Sequence, residues 1–311
     1  MRNKPLLVCV VGPTAIGKTS LAIELANAFN TEIISADSRQ FYKEMSIGTA
    51  VPSEDELKAA PHHFIQSKSI FEDYSVGDFE RDALTLITEK FNPTDTDIEK
   101  RSTLVMVGGS GLYVDAVVKG LDKFPEVPAE IRDNLNVELQ KFGIEHLQEK
   151  LKVVDPNYYL KVDIQNPHRL IRALEIYIAT GRPYSSFLTK KNTVRDFETI
   201  FIGLTAERET VYARINERVD KMIATGLIEE ARSLYAHQER NALQTVGYRE
   251  LFLFFDGTLS KEEAISEIKK NTRRFAKRQG TWFKKNELIH WFDYQICASE
   301  IVAFINEKNA I

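Results

Sequence analysis

The chain has 311 residues, about twice the size of an ordinary domain, which excludes a single small binding module. Its 43% hydrophobic and 28% charged residues are typical of a folded globular protein and exclude a disordered tail or a fibre. A net charge of −4 gives no overall sign of nucleic-acid binding.

Apolar runs and cysteines indicate the cellular compartment. Leu6–Val11, the longest apolar run near the N-terminus, is far shorter than the roughly 20 residues that span a bilayer and too short for a signal-peptide core. Cys9 and Cys297 are too few for a disulfide framework or a zinc site. We therefore expect a cytoplasmic protein without membrane association.

The chain alternates predicted strands and helices. Leu6–Val11 predicts a buried strand, because a continuous apolar run has no polar face to present to water. Further strands are predicted at Glu32–Ser35, Thr103–Val107 and Thr199–Leu204. This alternation predicts an α/β fold, a parallel sheet flanked by helices that binds ligands at the carboxyl ends of its strands.

The stretch at 121–190 differs from the rest in its sequence pattern, which predicts a helical insertion domain. It opens with Phe124–Pro128 and closes at Gly181–Pro183, with helical patterns between. The α/β core is then expected to comprise residues 1–120 and 191–311. The paired histidines His62 and His63 are expected to lie in a structural turn.

A glycine-rich segment fits the pattern Gly-x-x-x-x-Gly-Lys-Thr and lies between a predicted strand and a predicted helix. Its backbone N–H groups and the helix N-terminus form an anion site, to which Lys18 adds a charge, and the Thr19 hydroxyl can ligate Mg²⁺. The residues predicted to bind phosphate groups are Gly12, Pro13, Thr14, Ala15, Ile16, Gly17, Lys18 and Thr19.

The third strand lacks the acidic residue that ATPases and GTPases use to hold their metal. It runs from Leu104 through Val107 directly into Gly108 and Gly109. The nearest acid at a strand end is Asp37. Asp37 is a candidate general base, and equally a candidate to cap a helix or to ligate Mg²⁺ through water.

A basic segment near the C-terminus has eight Lys or Arg and no Asp or Glu between Lys269 and Lys285. At 100° per residue the basic residues share one half of a helix. The apolar residues predicted on the other half are Ile265, Ile268, Phe275, Trp282 and Phe283. An acid-free stripe favours binding to an RNA backbone, and Gly280 is a candidate bend or end of the helix.

Several motifs in order resemble the tRNA dimethylallyltransferases, also called tRNA isopentenyltransferases, of the bacterial type without a zinc finger. They are the phosphate loop, Asp37–Gln40, Ile47–Ala50, Gly108–Tyr113, Arg169–Glu175, Gly247–Glu250 and Ala276–Gln279. The likeness spans nearly the whole chain. Departures are Ser110 in place of the usual threonine, His168, and the stretch Phe64–Gln66.

The resemblance implies transfer of a dimethylallyl group from dimethylallyl diphosphate to the exocyclic amine of the adenosine just 3′ of the tRNA anticodon, with release of pyrophosphate. A leaving diphosphate explains the missing acid, because no γ-phosphate is hydrolysed. The resemblance further implies Mg²⁺ as cofactor, Asp37 as base, Thr19 on the bridging oxygen or Mg²⁺, and Arg218 facing pyrophosphate. Apart from the resemblance, a lone helical arginine such as Arg218 is usually a solvated surface charge.

The resemblance also implies contacts with the tRNA anticodon stem-loop, made by a monomer. Residues just after Asp37 would read the flipped adenine. The expected tRNA-binding residues are Asp37, Ser38, Arg39, Gln40, Ser110, Arg132, His168, Arg169, Leu170, Ile171, Arg172, Gln244, Gly247, Tyr248, Arg249, Arg273, Arg274, Lys277 and Arg278.

Two other functions fit parts of the sequence. A small-molecule or nucleotide kinase would use the same phosphate loop, with the insertion as a lid, and would consume ATP without RNA. A nucleotide switch or RNA-binding protein without catalysis is the other alternative. Against a guanine-nucleotide switch, the chain has no Asn-Lys-x-Asp motif.

Overall fold

The structure is a computed structural model that describes residues 4–92, 102–189 and 193–309. These residues form two compact units. One contains the described residues up to Lys119 and those from Val194 onward, and the other is Gly120–Thr193. In the described ranges, no helix combines the length and apolar character needed to cross a membrane.

The first unit is built on a six-stranded sheet in which every neighbouring pair is parallel, as the sequence predicts. The strands lie in the order β3-β2-β4-β1-β5-β6. Their bounds are β1 Leu6–Val11, β2 Ile33–Ser35, β3 His62–His63, β4 Thr103–Val107, β5 Glu198–Thr205 and β6 Ile289–Asp293.

Helices cover the sheet and fill the second unit. In the first unit they are α1 Lys18–Ala28, α2 Glu54–Ala59, α3 Val76–Phe91, α4 Gly111–Lys119, α9 Arg208–Ala224, α10 Leu227–Leu234, α11 Tyr248–Phe255, α12 Lys261–Phe283 and α13 Ala298–Asn309. In the second they are α5 Ala129–Phe142, α6 Ile144–Val154, α7 Pro156–Tyr159 and α8 Pro167–Thr180.

Strand β1 shows how the core is divided between the two faces of the sheet. Its residues are all buried, and alternate side chains point to opposite faces. Leu7 and Cys9 pack in one apolar cluster, whereas Leu6 and Val8 pack in the other. The continuous apolar sequence of β1 therefore follows from burial on both faces.

Three details differ from the sequence predictions. His62 and His63 form a short strand beside Ile33 and Ile34 rather than a turn. Strand β6, which pairs with β5, was not predicted. Helix α12 continues through Gly280 and ends at Phe283, so the last two lysines of the basic segment lie beyond it.

The second unit has its own small core and a buried ion-pair cluster. Leu170 and Ile171 of α8 are buried in the core, so their side chains do not reach the surface. The carboxylate of Glu175, 2% exposed, accepts bonds from Arg132 at 2.7 Å and from Arg172 at 2.5 Å. Burial alone would raise the pKa of Glu175, but the two guanidinium groups outweigh it and leave the pKa lowered. Both arginines thus stabilise this unit.

Candidate functional site

The glycine-rich loop connects the end of β1 to the start of α1 and has a backbone that needs glycine. Gly12 has a φ of 143°, and a Cβ there would lie 2.6 Å from the Leu204 carbonyl oxygen. Gly17 has a φ of 104° just before the helix. The Lys18 ammonium donates to the Pro13 carbonyl at 2.7 Å, so the loop curves around the lysine.

A cavity of about 540 Å³ opens beside this loop, at the carboxyl ends of the parallel strands. Thr14 of the loop, Asp37 after β2 and Ser110 after β4 contribute to its wall. Helix α9 adds Arg218. The cavity therefore brings together residues that are far apart in the sequence, at the edge where this fold class binds ligands.

Asp37 lies at this edge and caps the turn that follows it. Its Oδ1 accepts the N–H of Arg39 at 3.1 Å. The next residue, Ser38, donates its N–H to Ser110 Oγ at 3.2 Å, and the two hydroxyl oxygens are also 3.2 Å apart. The turn is thus attached to the loop after β4, and Asp37 lies in the cavity wall.

Three charges interact where the glycine-rich loop meets the cavity. Burial lowers the pKa of Lys18 to about 8, against the opposing effect of Asp37 and with a further lowering from Arg218. Burial also lowers the pKa of the Arg218 guanidinium, while Asp37 raises it. Arg218 therefore lies in the cavity wall rather than at a solvated surface. Two cations around one carboxylate give the site an excess of positive charge for an anionic ligand.

A residue that sequence reasoning missed connects two of the loops. Gln279 of α12 is 5% exposed and accepts the Thr14 N–H on Oε1 at 2.9 Å. Its Nε2 donates to the Gly109 carbonyl at 3.0 Å. The available signal was a buried position shared with Ala276 and Phe283 at helical spacing in the basic segment.

Two residues expected to read the adenine form bonds within the protein. Arg39 Nη1 donates to the carbonyls of Asn241 and Ala242 at 2.8 and 3.0 Å. Gln40 Nε2 donates to the Ala50 carbonyl at 2.9 Å. These bonds hold neighbouring loops in position, and the Arg39 guanidinium has further N–H groups besides those on Nη1.

The loop at 46–48 is held by a carboxylate that the sequence did not single out. Glu230 accepts the N–H groups of Ser46, Ile47 and Gly48 at 2.8 to 2.9 Å. It also accepts the hydroxyl of Tyr248 at 2.6 Å. Tyr248 is fully buried, so its side chain is not exposed to RNA.

Other expected tRNA-binding residues lie at the surface or at the cavity wall. Gln244 and Arg249 are exposed and line the cavity together with Gly247. His168 and Arg169, in the first turn of α8, are exposed. These positions leave their side chains accessible to a ligand.

The basic face of α12 is less uniform than its sequence predicts. Lys269 pairs with Asp220 at 2.6 Å, and Lys270 pairs with Glu267. Arg273 donates to Asn216 Oδ1 at 2.7 Å. The exposed cations of the helix include Arg274, Lys277 and Arg278.

The residues of the predicted apolar face of α12 fall into a buried group and an exposed group. Ile268 and Phe283 are buried, as expected. Phe275 and Trp282 are 39% and 41% exposed and line the cavity. The Trp282 indole donates to Asp115 Oδ2 at 2.9 Å. The helix therefore contributes both to the core and to the site.

The cavity has few oxygen ligands for a metal. In the described part of the chain, no group of three or more His, Cys, Asp or Glu side chains is arranged to hold a metal ion. The Thr19 hydroxyl and the Asp37 carboxylate are oxygen donors near the loop. Such a sparse set fits Mg²⁺, which keeps several waters and completes its ligands with substrate phosphates.

Comparison with known proteins gives consistent matches. The profile of the family described as IPP transferase matches residues 40–286. The tRNA dimethylallyltransferase of Christiangramia forsetii is 61% identical over 302 residues, which cover 97% of this chain and 98% of that protein. The one from Flavobacterium johnsoniae is 55% identical over 308 residues, 97% of each chain.

Solved structures agree. The full-length tRNA isopentenylpyrophosphate transferase from Bacillus halodurans is 39% identical with a TM-score of 0.70, covering 99% of this chain and 97% of its own. A eukaryotic dimethylallyltransferase described as acting on tRNA is 25% identical with a TM-score of 0.80, covering 98% of this chain and 80% of its own.

Proposed function

The chain belongs to the IPP transferase family, and we propose that it transfers a dimethylallyl group from dimethylallyl diphosphate to the exocyclic amine of the adenosine 3′-adjacent to the anticodon in tRNA. Pyrophosphate is the second product. The observation that carries the proposal is the cavity lined by Asp37 and Arg218 beside the glycine-rich loop, whose Lys18 interacts electrostatically with both.

The cations act on the leaving group. Breaking the allylic C–O bond leaves both electrons on pyrophosphate and positive charge on the five-carbon unit. Lys18, Arg218 and the backbone N–H groups of the loop other than that of Thr14 act on that developing negative charge, which lowers the barrier without rearrangement. With a pKa of about 8, Lys18 is mostly protonated at neutral pH.

Asp37 acts on the acceptor. The adenine amine is a weak nucleophile because its lone pair is delocalised into the ring, and it becomes acidic as the new C–N bond forms. The carboxylate of Asp37 takes that proton, a contribution of roughly 10² to 10⁴ in rate. The Arg39 N–H bond to Asp37 keeps the carboxylate oriented while it does so.

Apolar residues of the cavity wall receive the prenyl chain. Ile215, Val219 and Met222 line the cavity from one face of α9, the face that also carries Arg218. These side chains exclude water from the allylic centre, where water would compete with the adenosine.

Mg²⁺ would be held by the Thr19 hydroxyl and, directly or through water, by Asp37, together with the donor's phosphate oxygens. When bound, it supplies positive charge to the departing pyrophosphate. Thr19 also lies in the first turn of α1, whose N-terminus favours an anion.

Exposed cations bind the tRNA. Arg274, Lys277 and Arg278 of α12 contact backbone phosphates, and Gln244 and Arg249 contact the nucleotides around the flipped adenosine. His168 and Arg169 of the helical insertion add contacts to the RNA, and the exposed Arg132 and the half-buried Arg172 do so while paired with Glu175. The protein acts as a monomer in the cytoplasm, and light scattering during gel filtration checks its mass.

An anticodon stem-loop RNA incubated with radiolabelled dimethylallyl diphosphate tests the function. Label in the RNA and stoichiometric pyrophosphate are expected, and a stem-loop with guanosine in place of the target adenosine is the control. Incubation with labelled ATP tests the kinase alternative. Consumption of ATP without RNA, and no prenyl label in the stem-loop, would replace the proposed function by a kinase.

A further inference from the structure

Gln279 has an unusual position for a residue of a basic helix. It lies next to the exposed Arg278 in sequence, yet its own side chain is buried and inserted between the loop after β1 and the loop after β4. Each half of its carboxamide bonds to one of these loops, at Thr14 N–H and at the Gly109 carbonyl.

Space around the carboxamide is filled. A Cβ built on Gly109 would lie 2.2 Å from Gln279 Nε2, so a side chain at 109 would displace the amide. The glycine at this position therefore permits the close approach of Gln279. The φ of Gly109 is not in the left-handed region, so the approach of Gln279 accounts for the glycine here without any backbone requirement.

We propose that Gln279 is a positioning residue for the prenyl donor: it fixes the Thr14 peptide, and with it the shape of the diphosphate loop, from helix α12. The inference rests on the proposed function. Without these two bonds, the Thr14 N–H and the Gly109 carbonyl would lack partners and the loop could adopt other conformations. The free energy needed to order the loop would then weaken donor binding.

Direct binding of pyrophosphate with Mg²⁺, measured by calorimetry, is the test. Gln279→Met keeps a side chain of similar length but removes both hydrogen bonds. We expect the dissociation constant for pyrophosphate to rise about tenfold or more, the effect of about 1.4 kcal/mol of lost interaction. In steady-state assays KM for the donor should rise, while kcat at saturating donor and KM for the stem-loop stay within about twofold.

Gly109→Ala provides a second, independent variant. It retains the whole Gln279 side chain but pushes the carboxamide from its bonds, so the same loss of pyrophosphate affinity is expected. Thr281→Ala, at an exposed position on the same helix, is the matched control and should bind as the wild type does. Thermal melting of each variant shows whether the fold is retained.

The outcomes separate the two ideas. Folded Gln279→Met and Gly109→Ala proteins that bind pyrophosphate as tightly as the wild type would overturn the positioning role and leave the proposed function intact. A kcat effect with unchanged pyrophosphate affinity would also overturn it. A wild-type protein that binds no pyrophosphate would overturn both.

Discussion

The ammonium nitrogen of Lys269 lies 2.6 Å from Oδ1 of Asp220, so the basic face of α12 is partly neutralised from the neighbouring helix α9. Lys270 is paired with Glu267 within α12 itself. A count of basic residues in the sequence therefore overstates the charge that this helix offers to RNA. The charges available to RNA include those of the exposed Arg274, Lys277 and Arg278.

Salt titrations should distinguish a paired lysine such as Lys269 from an exposed lysine such as Lys277. Each phosphate contact that is lost reduces the slope of log affinity against log salt by about 0.7 to 0.9. We expect Lys277→Ala to reduce the slope for stem-loop binding by about this amount and Lys269→Ala to leave it unchanged. Equal effects of the two substitutions would contradict the distinction.

Asp37→Asn should reduce turnover by roughly 10² to 10⁴ while stem-loop affinity remains within about twofold, because the amide keeps the shape but cannot accept a proton. Single-turnover prenyl transfer and filter binding measure the two quantities. Asp196→Asn is the matched control, since Asp196 precedes β5 at the opposite edge of the sheet. Near-normal turnover in Asp37→Asn would remove this carboxylate from the mechanism.

Donor affinity should depend on the charge of Lys18. Its pKa of about 8 means that the ligand-free protein loses this cation as the pH rises through about 8. We expect the dissociation constant for pyrophosphate to increase above that pH, by at most about tenfold per unit. Calorimetry between pH 6.5 and pH 9.5 checks this, and Lys18→Met should flatten the profile.

The same pKa predicts an effect on stability. Because burial disfavours the charged form, the folded protein has a lower Lys18 pKa than the unfolded chain, and the charge costs stability in full below about pH 8. Lys18→Met should therefore melt at a higher temperature than the wild type at pH 7. The difference should shrink as the pH rises towards the usual lysine pKa, and Lys58→Met, at an exposed site, should show neither effect.

Arg218→Gln should reduce turnover by roughly 10² to 10³, the size of effect seen when one donor to a developing negative charge is removed. The glutamine amide can still donate a hydrogen bond, but it has no positive charge to stabilise the leaving pyrophosphate. Turnover at saturating donor measures the effect, and Arg208→Gln at the exposed start of the same helix is the control. An equal loss in both variants would point to damage to α9 rather than to a role in the site.

The strands that sequence analysis located well are those buried on both faces. Thr103–Val107 has the predicted bounds because a continuous apolar run leaves little choice of structure. His62–His63 has two polar residues and no periodicity, so nothing in its sequence indicates a strand. Ile289–Asp293 is an edge strand of five residues in which Ile289 is buried and the others are half-buried or exposed, so its sequence has no clear strand pattern.

Some features of the site can likewise be predicted from local sequence, and others cannot. The glycine-rich loop is visible in the sequence because its geometry depends on local residue types. Gln279 bonds to Thr14 across 265 positions, and Glu230 bonds to Gly48 across 182. Such contacts depend on tertiary packing, so they leave no local pattern. The family resemblance includes Gln279 in the segment Ala276–Gln279 but gives it no role.

The match to the family model ends at residue 286, whereas the sheet continues beyond it. Strand β6 covers the outer edge of β5, and Ile301 and Ile305 of α13 complete the apolar cluster of Leu6 and Val8. A polypeptide of residues 1–286 would expose a row of unsatisfied peptide groups beside a bare apolar face. Such a fragment would self-associate into aggregates during expression, although Lys18, Thr19, Asp37 and Arg218 would all still be in it.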